Sequence, residues 1–159
     1  MRRCRKEDIM TEKVRRTPAK LHQLVNDMGL TVLVRGKDFD SREITVSDVN
    51  RPALQLVGFY QYFEPQRLQI LGKSEITFLK SMPIQERRRV FDDLLRCEIP
   101  ALIIARGLDI FPELVELSEK HERTLLRSEA TTVEITSRII DYLNRSLAPQ
   151  ITRHGVLMN

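Results

Sequence analysis

The sequence predicts an α/β fold in which a layered, mixed and partly parallel sheet is flanked by helices. Short apolar runs alternate with amphipathic helical patterns through the second half of the chain. One of these runs is apolar on every residue from Ala101 to Ala105, as is typical of a strand buried on both faces of a parallel sheet. Strands that alternate with helices in this way predict βαβ units.

The first half of the chain contains one clear helix and several strand-like runs. Residues 18–28 carry apolar side chains at helical spacing and end at Gly29, a residue that suits a helix C-terminus. The strand-like runs are 30–36, 42–49, 53–63 and 67–72. We expect these runs to form the first strands of the sheet.

The second half predicts four helices and two further strands. The helices cover 74–82, 83–97, 111–122 and 131–148, and the strands cover 101–107 and 123–128. Thr131 and Glu134 have the spacing of a capping box, in which each side chain bonds the backbone N–H of the other residue. Pro149 ends the last helix.

Composition and charge exclude several classes of protein. The chain has 159 residues, of which 42% are hydrophobic and 30% charged, and no apolar run is long enough to cross a bilayer. The whole net charge of +4 lies in residues 1–16, which we expect to form a flexible basic arm covering 1–17. The remainder is electrically balanced, which argues against nucleic acid and membrane surfaces as partners. Cys4 and Cys97 form no disulfide framework, as expected of a cytoplasmic protein.

A Gly-Lys-Ser sequence at 72–74 resembles the end of a phosphate-binding P-loop, G-x-x-x-x-G-K-[ST]. The first glycine of that motif falls on Arg67, whose side chain would obstruct the backbone cradle that a phosphate requires. We therefore predict that Lys73 and Ser74 begin an ordinary helix and that the chain binds no nucleotide here.

Other chemistry-bearing residues have structural explanations. His22, His121 and His154 are far apart, no spacing matches a zinc site, and no nucleophile motif is present. We expect His22 and His121 to be surface groups and Cys97 to be a small buried apolar residue. The charged run at 86–90 is expected to form a solvated helix face.

The stretch around residue 50 leaves two interpretations open. Asp48 and Arg51 fit a local ion pair in a turn between strands. The aromatic residues of 59–63 fit either a core layer or a contact surface, and we regard them as a candidate contact with another domain or subunit.

Taken together, several separated blocks resemble the N-terminal domain of the HPr kinase/phosphorylase family. The blocks occur in the family's order, each one short, and their combination is what carries the resemblance. They are SDVNRP at 47–52, QILGKSE at 69–75, PALIIARGL at 100–108, LLRS at 125–128, LAP at 147–149 and HGVL at 154–157.

The resemblance implies a hexameric, two-domain cytoplasmic enzyme that acts on a serine of the phosphocarrier HPr in carbon catabolite repression. Its C-terminal domain would carry the P-loop and the Mg²⁺ ligands, and would use ATP or pyrophosphate. The N-terminal domain would have a fold similar to those of Mur ligase N-terminal domains. The histidine of the HGVL block, His154, is then the candidate catalytic residue.

We therefore expect residues 18–149 to be the N-terminal domain of such an enzyme, and residues 150–159 to be a linker and the start of its kinase domain. The chain by itself would then hold no cofactor and would be inactive, with a poorly ordered tail. Two alternatives are a stand-alone regulatory or interaction module and a nucleotide-sugar-binding domain like that of Mur ligases.

Overall fold

The fold was obtained as a computed structural model, which describes residues 12–15 and 17–153, with side chains from residue 17 to 149. The strands of these residues are β1 (Glu12–Arg15), β2 (Ala19–Lys20), β3 (Thr31–Val34), β4 (Glu43–Ile44), β5 (Val49–Asn50), β6 (Leu68–Leu71), β7 (Leu102–Ile104), β8 (Leu125–Arg127) and β9 (Gln150–Arg153). The helices are α1 (Leu21–Met28), α2 (Ala53–Leu56), α3 (Lys73–Lys80), α4 (Ile84–Arg96), α5 (Pro112–Lys120) and α6 (Thr132–Ser146).

Five strands form the central sheet in the spatial order β3-β8-β7-β6-β5. The four strands from β5 to β8 are parallel to their neighbours, and β3 joins the opposite edge antiparallel to β8. The predicted α/β fold with a mixed, partly parallel sheet is therefore confirmed.

Each face of the sheet is covered by its own layer of helices. On β6 and β7 the side chains alternate, so that Ile70 and Ile103 face one layer while Leu71 and Leu102 face the other. Helices α1 and α6 cover the first face, and α2 to α5 cover the second. All seven residues of β6 and β7 are buried, which explains their continuous apolar or neutral sequence.

The helix boundaries follow signals that the sequence contains. Helix α1 ends at Gly29, whose φ of 67° is the left-handed conformation that glycine adopts easily. Helix α6 begins with the predicted capping box of Thr131 and Glu134, and α5 has Pro112 in its first turn. The predicted helices at 74–82, 83–97 and 111–122 are also confirmed.

Two strand predictions are wrong. The alternating run at 42–49 is divided between β4, which pairs with β2, and β5 at the edge of the main sheet. The run at 53–63 forms no strand, because Pro52 precedes a single helical turn and Gly58 leaves it with a φ of 90°. Its backbone groups bond locally, as in the bond from Phe59 N–H to the Leu54 carbonyl at 3.0 Å.

The two ends of the described chain meet in a separate ribbon. Strand β1 pairs antiparallel with β9, with Glu12 opposite Arg153 and Arg15 opposite Gln150. The predicted basic arm and the predicted linker therefore each contribute a paired strand. The domain limits at 18 and 149 stay predictions, and the predicted poor order of the tail concerns 154–159, outside the described residues.

Candidate functional site

The carboxyl ends of the parallel strands β5 to β8 meet at one edge of the sheet, where open α/β folds usually bind their ligands. We call this region the carboxyl edge, and define it by Arg51, Gly72, Glu75, Arg106 and Thr132, which follow the four strands or begin the next helices. It includes the Gly-Lys-Ser sequence that resembles a P-loop, so it is the first place to look for a phosphate site.

The centre of the carboxyl edge is filled by a carboxylate of the chain itself. Glu75 is only 7% exposed, and its Oε1 accepts a bond from the Gly72 N–H at 2.8 Å. The same oxygen accepts a bond from Arg51 Nη2 at 2.7 Å. In a P-loop, backbone N–H groups and a cation bind a phosphate; here one backbone N–H, that of Gly72, and the Arg51 guanidinium bind the Glu75 carboxylate. The prediction that Lys73 and Ser74 begin a helix is confirmed, since α3 starts at Lys73.

Helices α3 and α6 begin side by side at Gly72. A side chain at this position would collide with Oγ1 of the buried Thr132 and would lie 3.0 Å from Arg51 Nη2. The α6 N-terminus is also capped from within the chain. Thr131 N–H donates to the Glu134 carboxylate at 3.0 Å, and this bond holds the pKa of Glu134 below its ordinary value. In both helices an acidic side chain of the first turn thus bonds the N–H of the residue that precedes the helix.

The remaining loops of the carboxyl edge are bonded to each other. Arg106 and Gly107 both have positive φ, and their N–H groups donate to the carbonyls of Ala130 at 2.8 Å and Ser128 at 2.7 Å. The Arg127 guanidinium donates to the Gly107 carbonyl. The N–H groups of Gly72, Arg106 and Gly107 at this edge therefore all bond to acceptors of the chain itself.

The two histidines of the described chain, His22 and His121, belong to no metal-binding group of side chains. His22 and His121 are both partly exposed; the His121 side chain is 17% exposed, and its Nε2 lies 2.7 Å from Asp92 Oδ1. That bond holds the pKa of Asp92 below its ordinary value. In the part of the chain that the structure describes, no three His, Cys, Asp or Glu side chains form a group able to hold a metal ion. His154, the candidate catalytic residue, lies outside the described residues.

The charged run at 86–90 is only partly solvated. Arg88 and Arg89 lie toward solvent, but Arg87 is buried against the Glu113 carboxylate and stacks on the ring of Phe111, with its guanidinium carbon 4.4 Å from the ring centre. The prediction of a solvated face is therefore wrong for Arg87. Arg87 can be buried because Glu113, far along the chain, pairs with its guanidinium; a buried charge needs such a partner.

Cys97 follows α4 and is partly buried against the core layer of α3 to α5. Burial raises the pKa of its thiol, which keeps the side chain in the neutral, unreactive form. This arrangement agrees with the predicted role as a small apolar residue.

The aromatic stretch at 59–63 divides between interior and surface. Tyr60 and Phe63 pack edge to face at 5.5 Å, and burial raises the pKa of Tyr60 well above its ordinary value. Tyr62 is 88% exposed and Phe59 is 46% exposed. Both open interpretations are thus partly correct: two rings pack inward and two face solvent.

The predicted local pair of Asp48 and Arg51 is wrong. Asp48 lies 3.5 Å from Arg67 Nη2, and Arg51 bonds Glu75. Sequence reasoning also missed Glu75, although its place three residues after Gly72, in the first turn of α3, is a signal for a capping carboxylate.

The family becomes clear when the chain is compared with known proteins. Residues 19–143 match the family described as HPr serine kinase N terminus. The chain belongs to this family of HPr kinase N-terminal domains. The matched segment contains the whole central sheet and all its covering helices except the last residues of α6.

Curated relatives from several bacteria carry the name HPr kinase/phosphorylase. The chain is 42% identical over 136 residues to the protein of Caldanaerobacter subterraneus, 38% over 139 residues to that of Clostridium novyi, and 44% over 137 residues to that of Clostridium botulinum strain Alaska E43. These matches cover 86%, 87% and 86% of this chain but only 44%, 45% and 44% of the relatives. The chain therefore spans less than half the length of the relatives it matches.

A solved structure shares the fold. It is the regulatory region of Clostridium perfringens pyrophosphatase, consisting of CBS and DRTGG domains in complex with the activator diadenosine tetraphosphate. The TM-score is 0.55 at 16% sequence identity, over 87% of this chain and 53% of that one. At this identity the similarity concerns the fold alone. The expected similarity to Mur ligase domains stays a prediction.

Proposed function

We propose that this chain is the N-terminal domain of an HPr kinase/phosphorylase, and that it supports the enzyme without itself transferring phosphoryl groups. The whole enzyme would phosphorylate and dephosphorylate a serine of HPr in the cytoplasm, using ATP or pyrophosphate with Mg²⁺. Support for the enzyme family comes from identity near 40% over most of the chain. Hexameric assembly and a role in carbon catabolite repression belong to this proposal.

The observation that carries the non-catalytic role is the position of Glu75. Phosphoryl transfer requires a phosphate cradle, a metal ion and a group that positions the nucleophile. The chain has a Gly-Lys-Ser sequence at 72–74, but the Gly72 N–H and the Arg51 guanidinium are bonded to the Glu75 carboxylate. A second negative group at this place would lie close to the Glu75 carboxylate and would meet an electrostatic penalty.

The test has two parts, and the first uses the chain alone. Incubation with HPr, Mg²⁺ and either ATP or pyrophosphate should give no phosphoserine above a control without protein, while the complete Caldanaerobacter relative serves as the active control. Phosphorylation of HPr by the 159-residue chain would contradict the non-catalytic role.

The second part tests membership in a working enzyme. The chain is fused to the portion of the Caldanaerobacter relative that follows the matched region, and we expect the chimera to phosphorylate HPr. A folded chimera without activity, beside an active parent, would contradict the proposal. In an active chimera, His154→Ala should reduce turnover if this histidine contributes to the catalytic site, whereas His22→Ala should not.

A further inference from the structure

A cavity of about 340 Å³ opens beside α2, at the end of the sheet where β5 is the edge strand. Its volume lies in the range of pockets that hold small organic ligands. We call it the β5 cavity. Its lining combines two exposed aromatic side chains with three polar ones: Phe59, Tyr62, Asn50, Glu64 and Arg67. A recess that joins aromatic rings with a few polar groups is typical of a ligand site.

One polar group of the β5 cavity, the amide of Asn50, is held in a single orientation by two buried glutamines. Gln55 Nε2 donates to the Phe59 carbonyl at 3.1 Å, and Gln69 Nε2 donates to the Arg67 carbonyl at 2.8 Å. Both glutamine oxygens therefore face Asn50, whose Nδ2 donates to Gln69 at 2.7 Å and to Gln55 at 3.3 Å. Both protons of this nitrogen are thus used, and no described residue donates to Asn50 Oδ1. The network leaves a fixed hydrogen-bond acceptor at the cavity.

The charged groups at the β5 cavity have an excess of negative charge. Arg67 Nη2 lies 2.5 Å from Glu64 Oε1 and 3.5 Å from Asp48 Oδ2, so that one guanidinium faces two carboxylates. The Glu64 side chain is 49% exposed and that of Asp48 is 63% exposed, so both are accessible to a ligand. Arg51, which follows β5, is bonded to Glu75 and adds no net charge. An anionic ligand would therefore be repelled by this excess, whereas a cation would be attracted.

The aromatic rings of the β5 cavity favour the same kind of ligand. Tyr62 is 88% exposed and Phe59 is 46% exposed, so both rings are accessible. The faces of such rings carry partial negative charge and attract ammonium and guanidinium groups. Tyr62 also has a φ of 65°, a conformation that costs a non-glycine residue energy and that is often retained at binding sites. The amide acceptor, the carboxylates and the rings thus all match a ligand that is positively charged and donates hydrogen bonds.

We propose that the β5 cavity binds a small organic cation, in which a guanidinium or ammonium group is carried on a short apolar stem. The cation donates hydrogen bonds to Asn50 Oδ1 and to the Glu64 carboxylate, while the stem packs on Phe59, Tyr62 and Leu54. A guanidinium suits the site better than an ammonium, because its planar fork of five donors can reach separated acceptors and stack on a ring. This inference concerns binding by the chain itself and does not depend on phosphoryl transfer.

The first test compares ligands of nearly equal shape in NMR titrations of the complete chain. We expect n-butylguanidinium to bind, and n-butylammonium to bind several-fold more weakly. The uncharged n-butylurea should bind at least about tenfold more weakly than n-butylguanidinium, because it lacks the charge that the rings and carboxylates attract. The anion n-pentanoate should not bind.

The second test locates the site with variants and matched controls. Phe59→Ala and Tyr62→Ala should each raise the Kd for n-butylguanidinium several-fold, whereas Phe78→Ala, at an equally exposed ring outside the cavity, should leave it unchanged. Glu64→Gln should raise Kd about threefold, whereas Glu122→Gln, at another exposed glutamate, should not. Circular dichroism would verify that each variant is folded, which is expected because all five side chains are exposed.

The outcomes are distinguishable. A chain that binds neither n-butylguanidinium nor n-butylammonium overturns the proposal. Equal affinity for n-butylurea overturns recognition of the charge, and binding of n-pentanoate in place of the cations would make Arg67 the centre of an anion site instead. If Phe78→Ala weakens binding as much as Phe59→Ala does, the cation binds elsewhere on the chain and the assignment of the β5 cavity is overturned.

Discussion

Two regions of the molecule differ in whether their groups have partners within the chain: the carboxyl edge, and the apolar face formed by the exposed side chains of Leu54, Val57, Phe59, Tyr62 and Phe78. At the carboxyl edge the donors of Gly72 and Arg51 are bonded to the buried Glu75. Gly72 has no side chain, which permits the close approach of α3 and α6. At the apolar face, Val57 and Tyr62 are more than 60% exposed and have no comparable internal partner. At the edge that analogy suggests as a binding site these donors are occupied, whereas several residues of 53–63, a stretch predicted as a strand, stay exposed.

This difference indicates that position in a fold is a weaker guide to function than whether the local donors and apolar side chains already have partners within the chain. Ligands of open α/β sheets commonly bind at the carboxyl ends of the strands. That rule requires free donors, and here the Gly72 N–H and the Arg51 guanidinium are bonded to the chain's own Glu75 carboxylate. Exposed apolar area that the fold has not covered is the better sign of an external partner.

The largest expected effect is at the closed edge. Gly72→Ala should lower the free energy of unfolding by about 2 kcal/mol, because its methyl group would collide with Thr132 Oγ1 and force the helices apart. Urea denaturation would measure the loss. Thr132→Ala in the same chain should recover part of it, and additivity of the two substitutions would contradict the proposed contact.

A smaller loss is expected when the internal anion is neutralised. Glu75→Gln keeps the shape of the side chain but replaces two charge-assisted bonds by neutral ones, which should cost about 1–2 kcal/mol of unfolding free energy. Glu134→Gln is the matched control, since Glu134 occupies the same position in the first turn of α6 but is exposed. An equal loss of unfolding free energy at both sites would show that the buried Glu75 contributes no more stability than the exposed Glu134.

Weakening the contact between α4 and α5 should change the free energy of unfolding less than the substitutions at the carboxyl edge and more than those at the apolar face. The size of this effect should depend on pH. The pKa of Asp92 is lowered by its bond to His121, so its stabilisation is present above the unfolded value near 3.8 and lost as pH falls through the folded value. Asp92→Asn should therefore cost about 0.5–1 kcal/mol at neutral pH, and the cost should disappear as pH falls through the lowered pKa of Asp92. Thermal melting of both proteins across this range would measure the difference. A gap that persists in acid would contradict it.

The smallest effect on the free energy of unfolding is expected at the apolar face, where substitution should leave the monomer unchanged or stabilise it. Tyr62→Gly should leave the monomer unchanged or stabilise it by up to about 1 kcal/mol, because glycine adopts the positive φ without strain. Tyr62→Ala keeps the strain and should change stability by less than about 0.5 kcal/mol. Clear destabilisation of the monomer by either substitution would place Tyr62 in the core and weaken the contrast between the two regions.

Much of the fold could be predicted because its signals are local. Thr131 and Glu134 cap α6 with groups three residues apart, and Gly29 ends α1 through its own backbone freedom. The continuous apolar run around Ile103 indicated a strand covered on both faces, which the two core layers confirm. None of these features needs information from distant parts of the chain.

The incorrect predictions share a dependence on distant partners. Arg87 is buried because Glu113, which is 26 residues away, neutralises it. The position of His121 likewise depends on Asp92, which belongs to another helix. Strand propensity in 53–63 was misleading because aromatic residues favour strands only where a neighbouring strand pairs with them, and here α2 and local turns satisfy the backbone.

The sequence by itself determined the α/β class, most helices and strands, and, through its separated blocks, the family of HPr kinase N-terminal domains to which the chain belongs. These depend on periodicity, caps and short motifs, which act over a few residues. Only the tertiary structure decided that the buried Glu75 bonds both Gly72 and Arg51, and that Val57, Tyr62 and Phe78 stay exposed. Which groups meet, and which stay uncovered, depends on how elements far apart in the chain pack together.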